Sequence, residues 1–389
     1  MRQSERERLQ VVQQIEQGHW RQVEGARRLR LSTRQMRRLQ RRVAAEGDGG
    51  VIHRLRGRPS NRKIPGEVQG RVLAQVRRRY ADFGPTLAAE HLAADGVKVS
   101  RETLRRWMNA AGLWRSRRRR VRTVHVWRQR RACFGELVMM DSSPFHWLED
   151  RASEFQLIAL IDDASSRLWA RFAEHDSSEE NLRTLGGWLQ RQGRPLALYT
   201  DKNSLFVTSR PVQWQEQLDG KPALTQFGRA LHELGIEWIG AHSPQAKGRI
   251  ERLFRTLQDR LVKEMRLQQI ETIEQANHYL ESTFLPWWRQ RFTRLPRDPR
   301  NAHRRLERQH RLEQILSIRE NRLVSPDHTV SWRGQRWGLR RGQVCAGLRG
   351  ARVDIERRLD GSTWLRFRGR YWPLAHCPAA APASVSPSG

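Results

Sequence analysis

No run of about 18 apolar residues occurs anywhere in the chain, so a membrane-spanning helix is not expected. The opening "MRQSERERLQ" is charged throughout and lacks the apolar segment of a secretory signal. Cysteine is scarce. Cys133, Cys345 and Cys377 are far apart with no CxxC pair, which argues against a disulfide framework and a cysteine-rich zinc site. A reducing, cytoplasmic setting is therefore expected. There is no Walker loop, dinucleotide fingerprint or nucleophilic Ser-His-Asp set, and His146, His175 and His242 read as polar or capping residues rather than ligands. Acidic residues are few beside basic ones. With 41 Asp+Glu against 73 Lys+Arg the formal net charge is +32, and such an excess favours a polyanion as partner. A length of 389 residues implies two to four domains.

The N-terminal third reads as two helix-turn-helix units. Leu9, Val12 and Ile15 have helical spacing over Ser4 to Glu16, Trp20 to Leu29 follows, and "LSTRQMRRLQRRV" places Ser32 and Gln35 in a capping-box relation. The last helix would bury Met36, Leu39 and Val43 and present Arg34, Arg37, Arg38, Arg41 and Arg42, as a recognition helix in a major groove must. A second set follows: Val68, Val72, Val76 and Tyr80, then "GPTLAAEHLAADG", then "VSRETLRRWMNAAGL", with Ser100 as N-cap and Leu104 and Trp107 inward. Arg101, Arg105 and Arg106 are its DNA-facing candidates. Between the units, Arg56-Gly57-Arg58-Pro59 fits either an arm in an A·T-rich minor groove or a solvated linker. The arginine-dense "WRSRRRRVRTVHVWRQRR" reads as a connector that tracks DNA.

From Gly135 the pattern changes to three apolar strands, a helix, a strand, a helix, a fifth strand and a long helix, "SPQAKGRIERLFRTLQDRL". A meander followed by crossovers predicts a mixed five-stranded sheet with helices on its faces. Asp141 is expected at the end of the first strand and Asp201 at the end of the fourth, with Glu251 on the last helix. Three converging carboxylates suit Mg²⁺, which takes oxygen donors and substrate phosphate and keeps several waters. Lys247, one turn before Glu251, would reach DNA, while Leu253, Leu257 and Leu261 hold the helix to the sheet. Asp162 and Asp163 also end a strand, but "DDASS" is turn chemistry, and a structural role is expected for them.

"MMDSSPFHWLED", "LIDDASSRL", "YTDKN" and "SPQAKGRIERLFRTLQDRLVKE" resemble the catalytic core of bacterial insertion-sequence transposases of the DDE, retroviral-integrase-like superfamily, ISNCY type. The resemblance runs from about Met1 to Leu306. Its most specific motif, Ser-Pro-Gln-x-x-Gly-x-x-Glu, is matched by Ser243, Pro244, Gln245, Gly248 and Glu251. It implies an RNase H-like core, a triad of Asp141, Asp201 and Glu251 holding two Mg²⁺ ions (Mn²⁺ as a substitute), and Gln245 with Lys247 at the DNA. The implied activity is DNA strand cleavage and strand transfer on terminal inverted repeats and target DNA, by a homo-oligomer of at least two copies and without a membrane. A catalytically inactive DNA-binding regulator and a nuclease without strand transfer are the alternatives. The chain departs from the pattern in its long spacing between Asp201 and Glu251, with "VTSRPVQWQEQLDGKPALT" as an insertion. It departs again in Phe254, where many relatives have Asn, and in Lys202-Asn203 after Asp201.

Beyond Leu323, "HTVSWRGQRWGL", "ARVDIERR", "TWLRFRG" and "RYWPL" alternate as strands, with turns at Arg333-Gly334 and Asp360-Gly361. They predict a small β-barrel. Its look is that of an SH3-like DNA-binding or assembly module, and a purely structural barrel fits as well. The expected boundaries are 1–47 and 64–114 for the helix-turn-helix units, with a basic linker at 48–63 and a basic connector at 115–134. The catalytic core takes 135–293, a linker with a helix 294–321, the barrel 322–376 and a disordered tail 377–389.

Overall fold

A computed structural model describes residues 1–57, 64–115, 129–201, 224–240 and 244–377, with the side chains of 244–247 and 341 excepted. The chain divides into two compact units, Met1–Ser116 and Arg117–Gly389.

In the first unit, α1 (Gln3–Glu16), α2 (Gln22–Arg28) and α3 (Thr33–Glu46) close over Val11, Val12, Ala26, Met36, Leu39 and Val43. The Ser32 hydroxyl accepts from the Gln35 N–H at 3.2 Å and the Gln35 side chain accepts from the Ser32 N–H at 2.8 Å, the expected capping box. A second trio, α4 (Gly66–Arg79), α5 (Pro85–Ala94) and α6 (Arg101–Ala110), buries Val72, Val76, Tyr80, Leu92, Leu104 and Met108. Ser100 caps α6 by accepting from the Thr103 N–H at 3.1 Å. Trp107, expected inward, is only half-buried. Met108 fills the place one turn beyond Leu104, because the i, i+4 stripe rather than i, i+3 faces the core.

The second unit follows the expected order: β1 (Leu137–Phe145), β2 (Phe155–Asp162), β3 (Leu168–Ala173), α7 (Ser178–Gln192), β4 (Ala197–Thr200), α8 (Gln226–Glu233), β5 (Glu237–Gly240) and α9 (Pro244–Leu267). The sheet order is β3-β2-β1-β4-β5, antiparallel through β3, β2 and β1 and parallel from β1 to β4 to β5. Strand parity sorts the two faces. Met139, Leu157, Ala159 and Ile161 pack with Leu253, Leu257 and Leu261 of α9, and with α10 (Ile273–Tyr279) and α11 (Leu285–Phe292). Val138, Met140, Ile158, Leu160 and Leu198 pack with α7 and α8 on the other face. Both faces are covered, which is why the strands read as continuous apolar runs.

The 294–321 stretch, drawn from sequence as a linker, lies against this core. Arg304 and Arg194 exchange backbone hydrogen bonds at 2.8 Å in both directions, and Ile315 of α12 (Leu312–Ile315) joins the α7–α8 core with Leu316 and Ile318.

The C-terminal strands correct one expectation. Among the described residues β6 (Ile318–Leu323), β9 (Arg352–Arg357), β10 (Thr363–Phe367) and β11 (Arg370–Pro373) form one sheet. A second holds β7 (Thr329–Trp332), β8 (Gln335–Gly338) and β12 (Ala375–Cys377), and no closed barrel results. Val330, Trp332, Val353, Ile355 and Leu365 from the two sheets share one core. Alternation in sequence specifies which side chains turn inward but not whether the outer strands hydrogen-bond to each other, and closure needs that bond as well. The hairpin at Arg333 and Gly334, with φ of 51° and 72°, is as expected. No described helix is long and apolar enough to cross a membrane.

Candidate active site

Asp141 is half-buried in β1, opposite Ala159 of β2. It was expected at the strand's end, but β1 runs on to Phe145, because Ser142, Ser143 and Pro144 stay in the antiparallel ladder with β2 instead of turning. What does end near Asp141 is the pairing on the other edge. The parallel register matches Leu137 with Ala197, Val138 with Leu198 and Met139 with Tyr199, and β4 stops at Thr200. Asp141 and Asp201, both half-buried, each come two residues after the last matched pair of that register, Met139 and Tyr199. Parity puts Asp141 on the face of Met139, which with Tyr199 belongs to the core under α9, and Asp201 lies one residue past the end of β4.

Glu251 is exposed on α9. That helix runs in the same direction as β1. Near its start, Arg249 bonds the Asp163 carbonyl at 3.0 Å, and the Asp163 N–H donates to the Leu137 carbonyl at the beginning of β1. Further on, Gln258 donates to the Ser143 hydroxyl at 3.2 Å, and near its end the Met265 carbonyl accepts from Arg151 beyond β1. Glu251 lies two turns before Gln258 on the same stripe, as Asp141 lies before Ser143 on the same strand face. Among the described residues no three acidic, histidine or cysteine side chains stand together as a metal-holding group. Gln245 and Lys247 fall in the first turns of α9, and nothing is described of their side chains. Phe254 is 7% exposed and part of the core beneath α9.

Asp162 and Asp163, the rival carboxylates, are engaged with the turn after β2 and with the residues around it. Asp162 accepts from the Ser165 N–H at 2.6 Å, the Ser165 hydroxyl at 2.7 Å and the Gly135 N–H at 2.9 Å, and burial raises its pKa. Asp163 accepts from the Arg131 N–H at 2.7 Å and forms an ion pair with Arg249. The far end of the basic connector is thus part of the core. Arg130 donates to the Asp163 and Ala164 carbonyls at 3.1 and 3.2 Å and to the Ser166 hydroxyl at 2.8 Å. Sequence reading missed Arg130, Arg249 and Gln258. For Gln258 the signal was its position on the stripe of Glu251; neither Arg249, two residues from Glu251 and so on another face, nor a connector arginine gave one.

On α3, Arg34, Arg37, Arg38 and Arg41 are exposed, whereas Arg42 bonds the Gly50 carbonyl at 2.8 Å through Nε and so pins the chain after the helix. Arg101 is exposed on α6, and Arg105 and Arg106 both pair with Glu102, at 2.7 and 3.3 Å. Arg56 is held by Glu5 of α1 at 2.7 and 2.9 Å, and Arg58 lies outside the described residues.

A homeodomain-like domain family matches residues 35–108. A Sinorhizobium fredii protein that bears the name transposase y4bF is 42% identical over 370 residues, which cover 94% of this chain and 79% of that protein. The transposase for insertion sequence IS1202 of Streptococcus pneumoniae is 30% identical over 315 residues, 72% of this chain and 66% of its own length. Among solved structures, the simian T-cell lymphotropic virus intasome in complex with PP2A regulatory subunit B56 gamma is similar over 75% of this chain and 96% of that one, at 13% identity and a TM-score of 0.33. The HTLV-2 integrase catalytic core domain in complex with magnesium is similar over 40% of this chain and 85% of that one, at 13% identity and a TM-score of 0.30.

Proposed function

The chain belongs to the transposases, and from that premise we propose that it binds the ends of its own insertion sequence and catalyses metal-dependent DNA strand cleavage and strand transfer. The observation that supports the chemistry is that Asp141 and Asp201 each follow by two residues a pair matched in the parallel register, Met139 and Tyr199, in the core covered by α9. Asp141, Asp201 and Glu251 are the catalytic residues of this reading, on a sheet of RNase H-like topology. Their donor chemistry fits Mg²⁺, or Mn²⁺ in its place, because such a hard cation needs only one or two carboxylates and fills its shell with water and phosphate oxygen. When bound, a pair of these ions supplies activation of the attacking oxygen and stabilisation of the leaving one.

The protein's own task is to place the DNA. Arg34, Arg37, Arg38 and Arg41 of α3, with Arg101, Arg105 and Arg106 of α6, serve recognition of the terminal inverted repeats. Gln245 and Lys247, just ahead of Glu251, serve the strand at the carboxylates, and a dimer or larger assembly holds two ends together.

The test is a supercoiled plasmid carrying the DNA that flanks the coding region, incubated with the protein and Mg²⁺. Joined products support the proposal. Nicks alone reduce it to a nuclease, and binding alone to a regulator.

A further inference from the structure

Met139, two residues before Asp141 on the same face of β1, lies in the wall of a cavity of about 170 Å³ beside the first half of α9. Four arginines line it, Arg130, Arg249, Arg252 and Arg294, against two carboxylates, Asp162 and Asp163. The lining therefore carries more positive than negative charge. Asp162 is also committed to three donors of the β2–β3 turn and of Gly135, and Asp163 to Arg131 and Arg249. Arg130 is fixed in place by three oxygens of that turn, so its guanidinium is pre-organised. The exposed Arg294 forms no ion pair among the described residues. Leu253 and the buried Trp288 supply apolar wall, which limits water and strengthens a charge-assisted hydrogen bond. An arginine cluster of this size suits the oxygens of a phosphate, which planar guanidinium groups meet two at a time.

Resting on the function proposed above, we propose that this cavity seats a backbone phosphate of the DNA strand whose neighbouring phosphodiester reaches Asp141. One strand can span both places, since two residues of β1 separate them by only about 7 Å. The seat sets the register of the cut, because a strand anchored there presents one particular bond to the carboxylates.

The experiment uses full-length Asp141→Asn protein, which binds without cutting, and duplexes of the flanking DNA in which one phosphodiester at a time is replaced by a neutral methylphosphonate. Neutralising the seated phosphate should weaken binding roughly 10-fold at one position near the cut, the scale of one charge-assisted hydrogen bond. In the Arg252→Ala/Arg294→Ala background that same replacement should have a clearly smaller effect, with only Arg130 and Arg249 left at the seat, while Arg294→Lys should retain most of it. Both substituted side chains are exposed, which limits the cost to folding. Full sensitivity at every position in the double variant overturns the seat, even where the wild-type chain cuts and joins DNA. Position-specific coupling in a chain that never cuts leaves the seat standing and removes the catalytic reading instead.

Discussion

Asp141 of β1 and Asp201, one residue past β4, each follow by two residues the last matched pair of the parallel register, Met139 and Tyr199. Like charges placed side by side on adjacent strands disfavour the arrangement by themselves. In the proposed reading Asp141 and Asp201 converge, and a divalent cation would relieve the repulsion between them.

Mg²⁺ should therefore stabilise the wild-type chain. A ligand that binds only the folded state adds about 2.7 kcal/mol at a hundred times its Kd. Differential scanning calorimetry should show Tm rising with Mg²⁺ for the wild type and little for Asp141→Asn. In EDTA the order should reverse, with Asp141→Asn melting slightly above wild type by the relief of about 0.2 to 1 kcal/mol of repulsion. Strand cutting by Asp141→Asn should fall beyond the roughly 10- to 100-fold loss typical of residues that only orient a metal ligand. Equal Mg²⁺ shifts in both proteins would remove Asp141 from the cation site.

Much of this was legible beforehand, and the reason lies in periodicity. Runs such as "FQLIALID" announce a strand buried on both faces, and Leu253, Leu257 and Leu261 announce the helix that covers one of them. The mixed sheet followed from their order. Three things did not follow. The extent of β1 past Asp141 depends on β2, whose ladder keeps Pro144 in line opposite Gln156. The place of His303 depends on Gly135, 168 positions earlier in the chain, and local spacing carries no such pairing. Open sheets rather than a barrel in the C-terminal module turn on edge contacts that alternation does not encode.

Phe254, a departure from the motif that the sequence resembles, is buried with Leu253, Leu257 and Trp288. Phe254→Asn should destabilise the second unit by about 3 to 5 kcal/mol, as truncation of a buried aromatic does, with an unpaired amide added to the cavity. Urea unfolding followed by tryptophan fluorescence measures this. An unchanged midpoint would mean that the position is tolerant and that α9 is held elsewhere.

The exposed arginines of α3 and the ion-paired Arg56 should separate in binding assays. Arg37→Ala/Arg38→Ala should weaken duplex binding and flatten the plot of log affinity against log salt by about 0.9 for each phosphate that the variant no longer neutralises. Arg56→Ala should mainly lower the melting temperature of the first unit, because its guanidinium is engaged with the Glu5 carboxylate, whose pKa it helps the Arg2 N–H to lower. A salt slope altered by Arg56→Ala and left intact by the α3 pair would reverse the assignment.

His303 gives the second unit a defined sensitivity to acid. Its Nε2 accepts from the Trp188 indole N–H at 3.2 Å and its Nδ1 lies 2.8 Å from the Asn301 side-chain oxygen, which fits a neutral ring protonated on Nδ1. The ring fits only because residue 135 is glycine, at φ 90°, where a Cβ would collide with the imidazole. Burial, with Arg167 adding repulsion, pushes the pKa down to about 4 from 6.5. The unfolded ring therefore takes up a proton below about 6.5 and the folded ring does not until about 4. The unfolded state binds more protons across that window, so this contribution to stability is complete above it and is lost as pH falls through it. Urea midpoints of wild type and His303→Phe, compared at pH values spanning the window, isolate the effect from carboxylates common to both. The wild-type midpoint should decline relative to the variant towards acid, and parallel curves would mean that the His303 ring titrates alike in the folded and unfolded chain.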